Sequence, residues 1–170
     1  LAVNDNIWAM QVAGPAGETL YLTEVRAPVQ PFELPPPATH TAERLFIPVL
    51  SAREHAAAMD WYEELAGCKG LRFETRVSAL NAALGLDPEW RRPVGTLQLA
   101  GNSMIEIDHV PEHRTPPFNA SGLPSGLAMV SFHARRDQSL PAGATWHELG
   151  ATAVTLMQGP AGECIELLAP

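Results

Sequence analysis

Gly159-Pro160-Ala161-Gly162-Glu163-Cys164-Ile165-Glu166-Leu167 is the stretch from which the fold can be read, because its first five residues also stand at Gly14 to Glu18. In both places a Gly/Pro turn hands the chain to a run that alternates in polarity: Thr19 to Val25 in the first copy, Glu163 to Leu168 in the second. Glycine and proline supply the backbone a tight turn needs, and period-two alternation marks a half-buried strand. Aligning the pentapeptides sets Leu20 against Ile165, Leu22 against Leu167 and Tyr21 against Glu166, at an offset of 145 residues. The dipeptide Met-Gln also precedes both turns, at Met10 and at Met157. The offset fits one linker plus two copies of a βαβββ unit of about 45 to 70 residues.

Upstream, Ile7 to Val12 and Thr19 to Val25 read as a hairpin around Gly14-Pro15-Ala16-Gly17. Leu20 and Leu22 fall on one face, with Thr19, Tyr21 and Thr23 on the other. Residues 27 to 41 carry Pro28, Pro31, Pro35, Pro36 and Pro37, which lack amide donors and favour extended backbone, so this is a linker. The expected organisation is a hairpin at residues 1–26 that ends a preceding, truncated module, a Pro-rich linker at 27–43, and a domain at 44–170. Unpaired strand edges attract partners, so the hairpin is expected to pair with a sheet, and the chain to form a homo-oligomer or to associate with the missing N-terminal module.

Downstream, Arg44 to Leu50 has strand length. Ser51 and Glu54 have capping-box spacing before a helix whose Ala58, Trp61, Tyr62 and Leu65 recur at helical period and which stops at Gly67. Leu71 to Val77 alternates as a strand, and Ser78 to Leu84 reads as a short helix before a loop holding Trp90, Arg91 and Arg92. Gly95 to Ala100 and Ser103 to Asp108 are strands around Gly101-Asn102. A second Pro-rich passage, Val110 to Pro124, leads to a strand at Leu127 to Ala134, a weak helix at Thr145 to Leu149, and strands at Ala151 to Met157 and Glu163 to Leu168. This second half repeats the order of the first in compressed form, with modules at about 44–110 and 125–169.

Composition narrows the function. With 46% hydrophobic residues the chain can bury a core, and a formal charge of -8 opposes nucleic acid as a partner. No apolar run is long enough to span a bilayer, so no membrane partner is expected. Two cysteines, Cys68 and Cys164, make no disulfide framework and show no zinc spacing, which points to a cytoplasmic setting. Ser103 lacks a nucleophile-elbow context, and the pentapeptide lacks the lysine of a phosphate loop.

The segment Asp60-Trp61-Tyr62-Glu63-Glu64-Leu65-Ala66-Gly67 is similar to an F-Y-x-x-x-L-G motif, and the closing Gly159 to Leu167 to D-P-x-G-x-x-x-E-L. With Met104-Ile105-Glu106-Ile107-Asp108-His109 between them, the span Leu45 to Ala169 resembles the vicinal oxygen chelate superfamily, which includes glyoxalase I, extradiol dioxygenases, methylmalonyl-CoA epimerase and bleomycin-resistance proteins. The resemblance implies an α+β fold in which paired βαβββ modules form a cupped, mostly antiparallel sheet, with helices on the convex face and a cleft between modules. In its metal-dependent members one divalent ion is held by side chains from both modules.

Alternation places Met104, Glu106 and Asp108 on one face of their strand, and Cys164, Glu166 and Leu168 on one face of theirs. These six are the cleft candidates. Glu106 and Glu166 match the two carboxylate ligand positions that the resemblance implies, where a hard cation would polarise substrate oxygens. The first-strand stretches Arg44 to Ile47 and Ser125 to Ala128 hold no imidazole, and His109 and His133 are the nearest substitutes. Trp61 and Tyr62 read as helix-packing residues. The expectation is therefore a glyoxalase-like protein that binds a small, largely apolar metabolite in the cleft without a full metal site. The alternative is a divalent-metal-dependent lyase, isomerase or dioxygenase using Glu106 and Glu166.

Overall fold

The structure is a computed structural model and describes residues 2–15, 19–41, 43–113, 117, 120, 122, 123 and 127–170. Among these the chain forms eleven strands and two helices. The predicted hairpin is present as β2 (Ile7–Ala13) and β3 (Thr19–Val25), with β1 (Ala2–Asn4) on the outer edge of β2. Residues 16–18 of the first pentapeptide lie outside the described residues. Where the sequence predicts a hairpin that pairs with a sheet, the structure adds β1 to make a three-stranded sheet, and no described strand joins the other edge of β3.

The first module is β4 (Val49–Ala52), α1 (His55–Ala66), β5 (Leu71–Arg76), α2 (Ser78–Ala83), β6 (Arg91–Gln98) and β7 (Met104–His109). Its sheet runs β4-β7-β6-β5, with β4 parallel to β7 and the other pairs antiparallel. The strand expected from Arg44 pairs regularly only from Val49; before that, Phe46 and Pro48 offer single carbonyls to the amides of Met104 (2.8 Å) and Glu106 (3.0 Å). Because β4 runs on through Ala52, Ser51 is held opposite Asp108 and does not cap the helix. The cap is Glu54, without a side-chain hydrogen bond. Strand β6 starts four residues before its predicted start, so Arg91 and Arg92 belong to a strand and not to a loop. Pro93 is tolerated there because β6 has only β5 beside it at that point.

The second module is β8 (Met129–His133), β9 (His147–Leu149), β10 (Thr152–Gln158) and β11 (Cys164–Ala169), in the order β8-β11-β10-β9, with β8 parallel to β11. All four strands are present, and the helix is the missing part. The predicted helix at 145–149 is the strand β9, since the stretch after β8 contains Pro141 and Gly143 and no apolar stripe at helical spacing.

Helix α1 therefore serves two sheets. Its Ala58, Met59, Tyr62 and Leu65 share one core cluster with Leu97, Ile105 and Ile107 of the first module and with Ala161, Ile165 and Leu167 of the second. Met59 lies against glycines: a Cβ at Gly95 would meet its sulfur at 2.1 Å, and one at Gly70 its methyl at 2.6 Å. The Tyr62 hydroxyl donates to Glu163 Oε1 at 2.5 Å, and Glu163 Oε2 accepts from the Ala161 amide at 2.9 Å, so the last residue of the pentapeptide ties its turn to the helix. Glu63, buried on α1, takes Lys69 (2.8 Å), Arg72 (3.0 Å) and the Gly70 amide (3.1 Å), which hold its carboxyl at about 2. Gly67 closes the helix at φ 64°, which its missing Cβ allows.

The linker is fastened to the first module. The Glu33 amide donates to Gln98 Oε1 (2.9 Å), Gln98 Nε2 donates back to the Glu33 carbonyl (3.3 Å), and Asn102 donates to the Leu34 carbonyl (3.1 Å). At its other end Asn6 donates to the Pro28 carbonyl at 3.2 Å, so both ends of the connection to the hairpin are anchored.

The two hairpins share one register. Gln11 pairs with Tyr21 as Leu156 pairs with Glu166, and Met10 with Leu22 as Thr155 with Leu167, which preserves the 145-residue offset through both strands. Met157 and Gln158 correspond to Val12 and Ala13, so the two Met-Gln dipeptides are not equivalent. The hairpin sheet thus matches β9, β10 and β11. It lacks a counterpart of β8, which explains the open edge of β3.

Candidate functional site

Strand β7 is covered on both sides. Ile105 and Ile107 point into the α1 core, so alternation turns Met104, Glu106 and Asp108 to the other face. The register sets Val49 and Thr96 beside Glu106, and Ser51 and Val94 beside Asp108, with Phe73 next to Val94 and Arg92 next in phase along β6. The hairpin reaches this face through Tyr21: the Asp108 and Glu106 charges act on its phenol, and burial together with them pushes it up to about 12. Gln11, its partner across the strand pair, hydrogen-bonds the phenol.

Glu106 and Asp108 sit two residues apart in this low-dielectric setting. Burial, then the Asp108 charge, raises Glu106 to about 8. Burial raises Asp108 to about 6, against the pull of Arg92. Burial thus biases both carboxyls of the pair toward their protonated forms, Glu106 the more strongly, and Tyr21 keeps its proton.

Arg92 is 0% exposed. Its guanidinium donates to the His109 carbonyl (3.0 Å) and to Asn81 Oδ1, and lies 4.8 Å from the Trp90 ring centroid. Asn81, on α2, in turn donates to the carbonyls of Trp90 (2.8 Å) and Asp87 (3.2 Å), so the inserted helix exists in part to hold this arginine. Two polar atoms here, Asp108 Oδ1 and Arg92 Nε, are buried without a hydrogen-bond partner. No group among the described residues satisfies this buried acceptor or this buried donor.

The other candidates are not brought to this place. Ile165 and Leu167 face the α1 core, so Cys164, Glu166 and Leu168 lie on the opposite face of β11, across the shared core from Glu106. There Glu166 accepts from Ser131 Oγ at 2.5 Å, beside Leu156, which is largely exposed. His133 is on that same outer face, opposite Leu168. His109 shares the phase of Ile107, and its ring meets His55 of α1 edge-on at 6.4 Å. The donor set that the resemblance implies for a metal does not assemble: Glu106 and Glu166 are on different faces, and no group of three or more His, Cys, Asp or Glu is close enough to hold an ion among the described residues.

Sequence reading missed Gln11 and Asn81, and placed Arg92 in a loop where the structure has it in β6. The phase of Arg92 with Val94 and Thr96 was available as a signal once the strand is started at Arg91. Two surface clefts lie elsewhere, one of about 410 Å³ lined by Ala52, Arg53, Glu54, Ala58, His113, Pro160 and Ala161, the other of about 380 Å³ between the end of α1 and Arg135 to Ser139. Neither includes the carboxyl pair.

Neither a family model nor a curated protein matches this chain. Solved structures do. A glyoxalase family protein from Bacillus cereus superposes with a TM-score of 0.54 at 18% identity, covering 78% of this chain and 97% of its own. The chain has the glyoxalase, or vicinal oxygen chelate, fold. Weaker likenesses are an integron cassette protein from the mobile metagenome of the Halifax Harbour sewage outfall (TM-score 0.41, 12% identity, 76% and 100% coverage) and a lactoylglutathione lyase from Agrobacterium tumefaciens (0.40, 13%, 75% and 94%). In this glyoxalase-fold chain the module order β-α-β-β-β is complete once, and once without its helix. No helix among the described residues is long and apolar enough to cross a membrane.

Proposed function

We propose that this glyoxalase-like chain binds a small, largely apolar metabolite bearing a hydroxyl or carbonyl oxygen, between the β7 face of the first module and the hairpin. The reading rests on one observation: Asp108, whose buried Oδ1 has no partner, shares its strand face with Glu106, and the charges of both act on the Tyr21 phenol. A protonated carboxyl donates to a ligand oxygen, and Asp108 accepts from a ligand hydroxyl or returns the proton. Val49, Val94 and Phe73 supply the apolar wall. Such a pair can also move a proton between neighbouring ligand oxygens or carbons, because its two groups are tuned apart around neutral pH. Glu166, on the far side of the shared core, takes no part in this site.

The test is a calorimetric titration with a panel of small hydroxy-carbonyl and phenolic compounds. Compounds that bind should lose about tenfold or more in affinity with Glu106→Gln and with Tyr21→Phe. Binding indifferent to both substitutions would place the ligand elsewhere.

A further inference from the structure

The outward face of the hairpin carries Trp8, Met10, Val12, Leu20 and Leu22, each 37% to 57% exposed. Contiguous apolar surface of this kind on a folded chain marks a docking site. The repeat states what belongs on it. By the shared register these five residues correspond to Ala153, Thr155, Met157, Ile165 and Leu167. In the second copy Ile165 and Leu167 are packed in the α1 cluster, Met157 borders it, and Ala153 and Thr155 are each 1% exposed. The same face of the same strand pair is thus seen once covered by a helix and once bare.

We propose that this face seats an amphipathic helix of the α1 type, belonging to a further βαβββ unit on the N-terminal side of the same polypeptide. The patch is one strand pair wide, and in the second copy the equivalent face is covered by the single helix α1, so one helix is the occupant of matching width. One helix face with small residues at the crossing and Met, Tyr and Leu as knobs matches it, as Ala58, Met59, Tyr62 and Leu65 do within this chain. The rim is already set: Arg26 pairs with Glu24 at 2.9 Å and lies 3.9 Å from the Trp8 ring centroid, which leaves the centre apolar. A helix here would also bring in the strand that precedes it in a βαβββ unit, the missing counterpart of β8, to the open edge of β3.

The probe is a synthetic peptide copying residues 54–67, locked as a helix by a hydrocarbon staple between positions 60 and 64, both of which are exposed on α1. Added to the 170-residue chain, it should slow amide hydrogen exchange across Ile7–Val25 and leave β5 and β8 unchanged. Leu22→Glu should weaken that binding at least tenfold. Leu156→Glu, at a leucine on β10 that is still more exposed, should not. Three results would overturn the proposal: no protection of β2 and β3, protection that survives Leu22→Glu, or a concentration-dependent dimer of the chain that Leu22→Glu dissolves.

Discussion

Leu22 and Leu167 hold the same place in two copies of one strand pair, yet Leu167 is 2% exposed and Leu22 45%. The difference is the helix. α1 lies over the second copy, and nothing described lies over the outer face of the first.

That contrast predicts unequal costs for one substitution. Leu167→Ala should destabilise the chain by about 2–5 kcal/mol, since it removes buried methyls and leaves a cavity in the α1 cluster. Leu22→Ala should cost under about 1 kcal/mol. Urea denaturation of both variants measures this, and equal costs would mean that Leu22 is already packed.

Gly95→Ala should destabilise by about 1–3 kcal/mol, because the new methyl would overlap the Met59 side chain. Met59→Ala in the same chain should recover part of that loss. A Gly95→Ala chain as stable as the parent would show that α1 can shift away from β6.

Arg92→Met should raise the titration midpoint of Asp108, because the guanidinium is the influence holding that carboxyl down against burial. Carboxyl carbon NMR reads the change. A midpoint that stays or falls would mean that the two groups do not interact.

Stability should fall as pH rises from about 4.5 to about 8. Across that window the folded chain keeps on Glu106 a proton that the unfolded chain has released, so the folded state binds more protons and loses ground with each unit. Asp108 adds to the slope up to about 6. Glu106→Gln should flatten the upper part of the window and leave the variant more stable than the parent above pH 8, by an amount on the order of 1 kcal/mol or more. Melting temperatures from pH 4 to 9 give the comparison.

The sequence carried the architecture through local signals: Gly67 and the spacing of Ala58, Tyr62 and Leu65 marked α1, and the pentapeptides marked two hairpins that prove to share one register. It misjudged the stretch before Gly150, where three strand residues, His147 to Leu149, are too few to show a period. Strand alternation put Glu106 and Glu166 each on the right face of its own strand. It says nothing about which way two sheets face, and α1 lying between them sends the two glutamates apart. Arg92 was hidden by its company, since an Arg-Arg-Pro run reads as a loop until Asn81 and Trp90 are seen around it.

The central claim, a carboxyl kept neutral at physiological pH opposite Tyr21, is tested most directly by following the side-chain carboxyl carbons of Glu106 and Asp108 by NMR from pH 3 to 10. The account predicts midpoints near 8 and near 6, with the upper one assigned to Glu106 by its loss in Glu106→Gln. Both carboxyls titrating in the ordinary range, about 4 to 5, would contradict it.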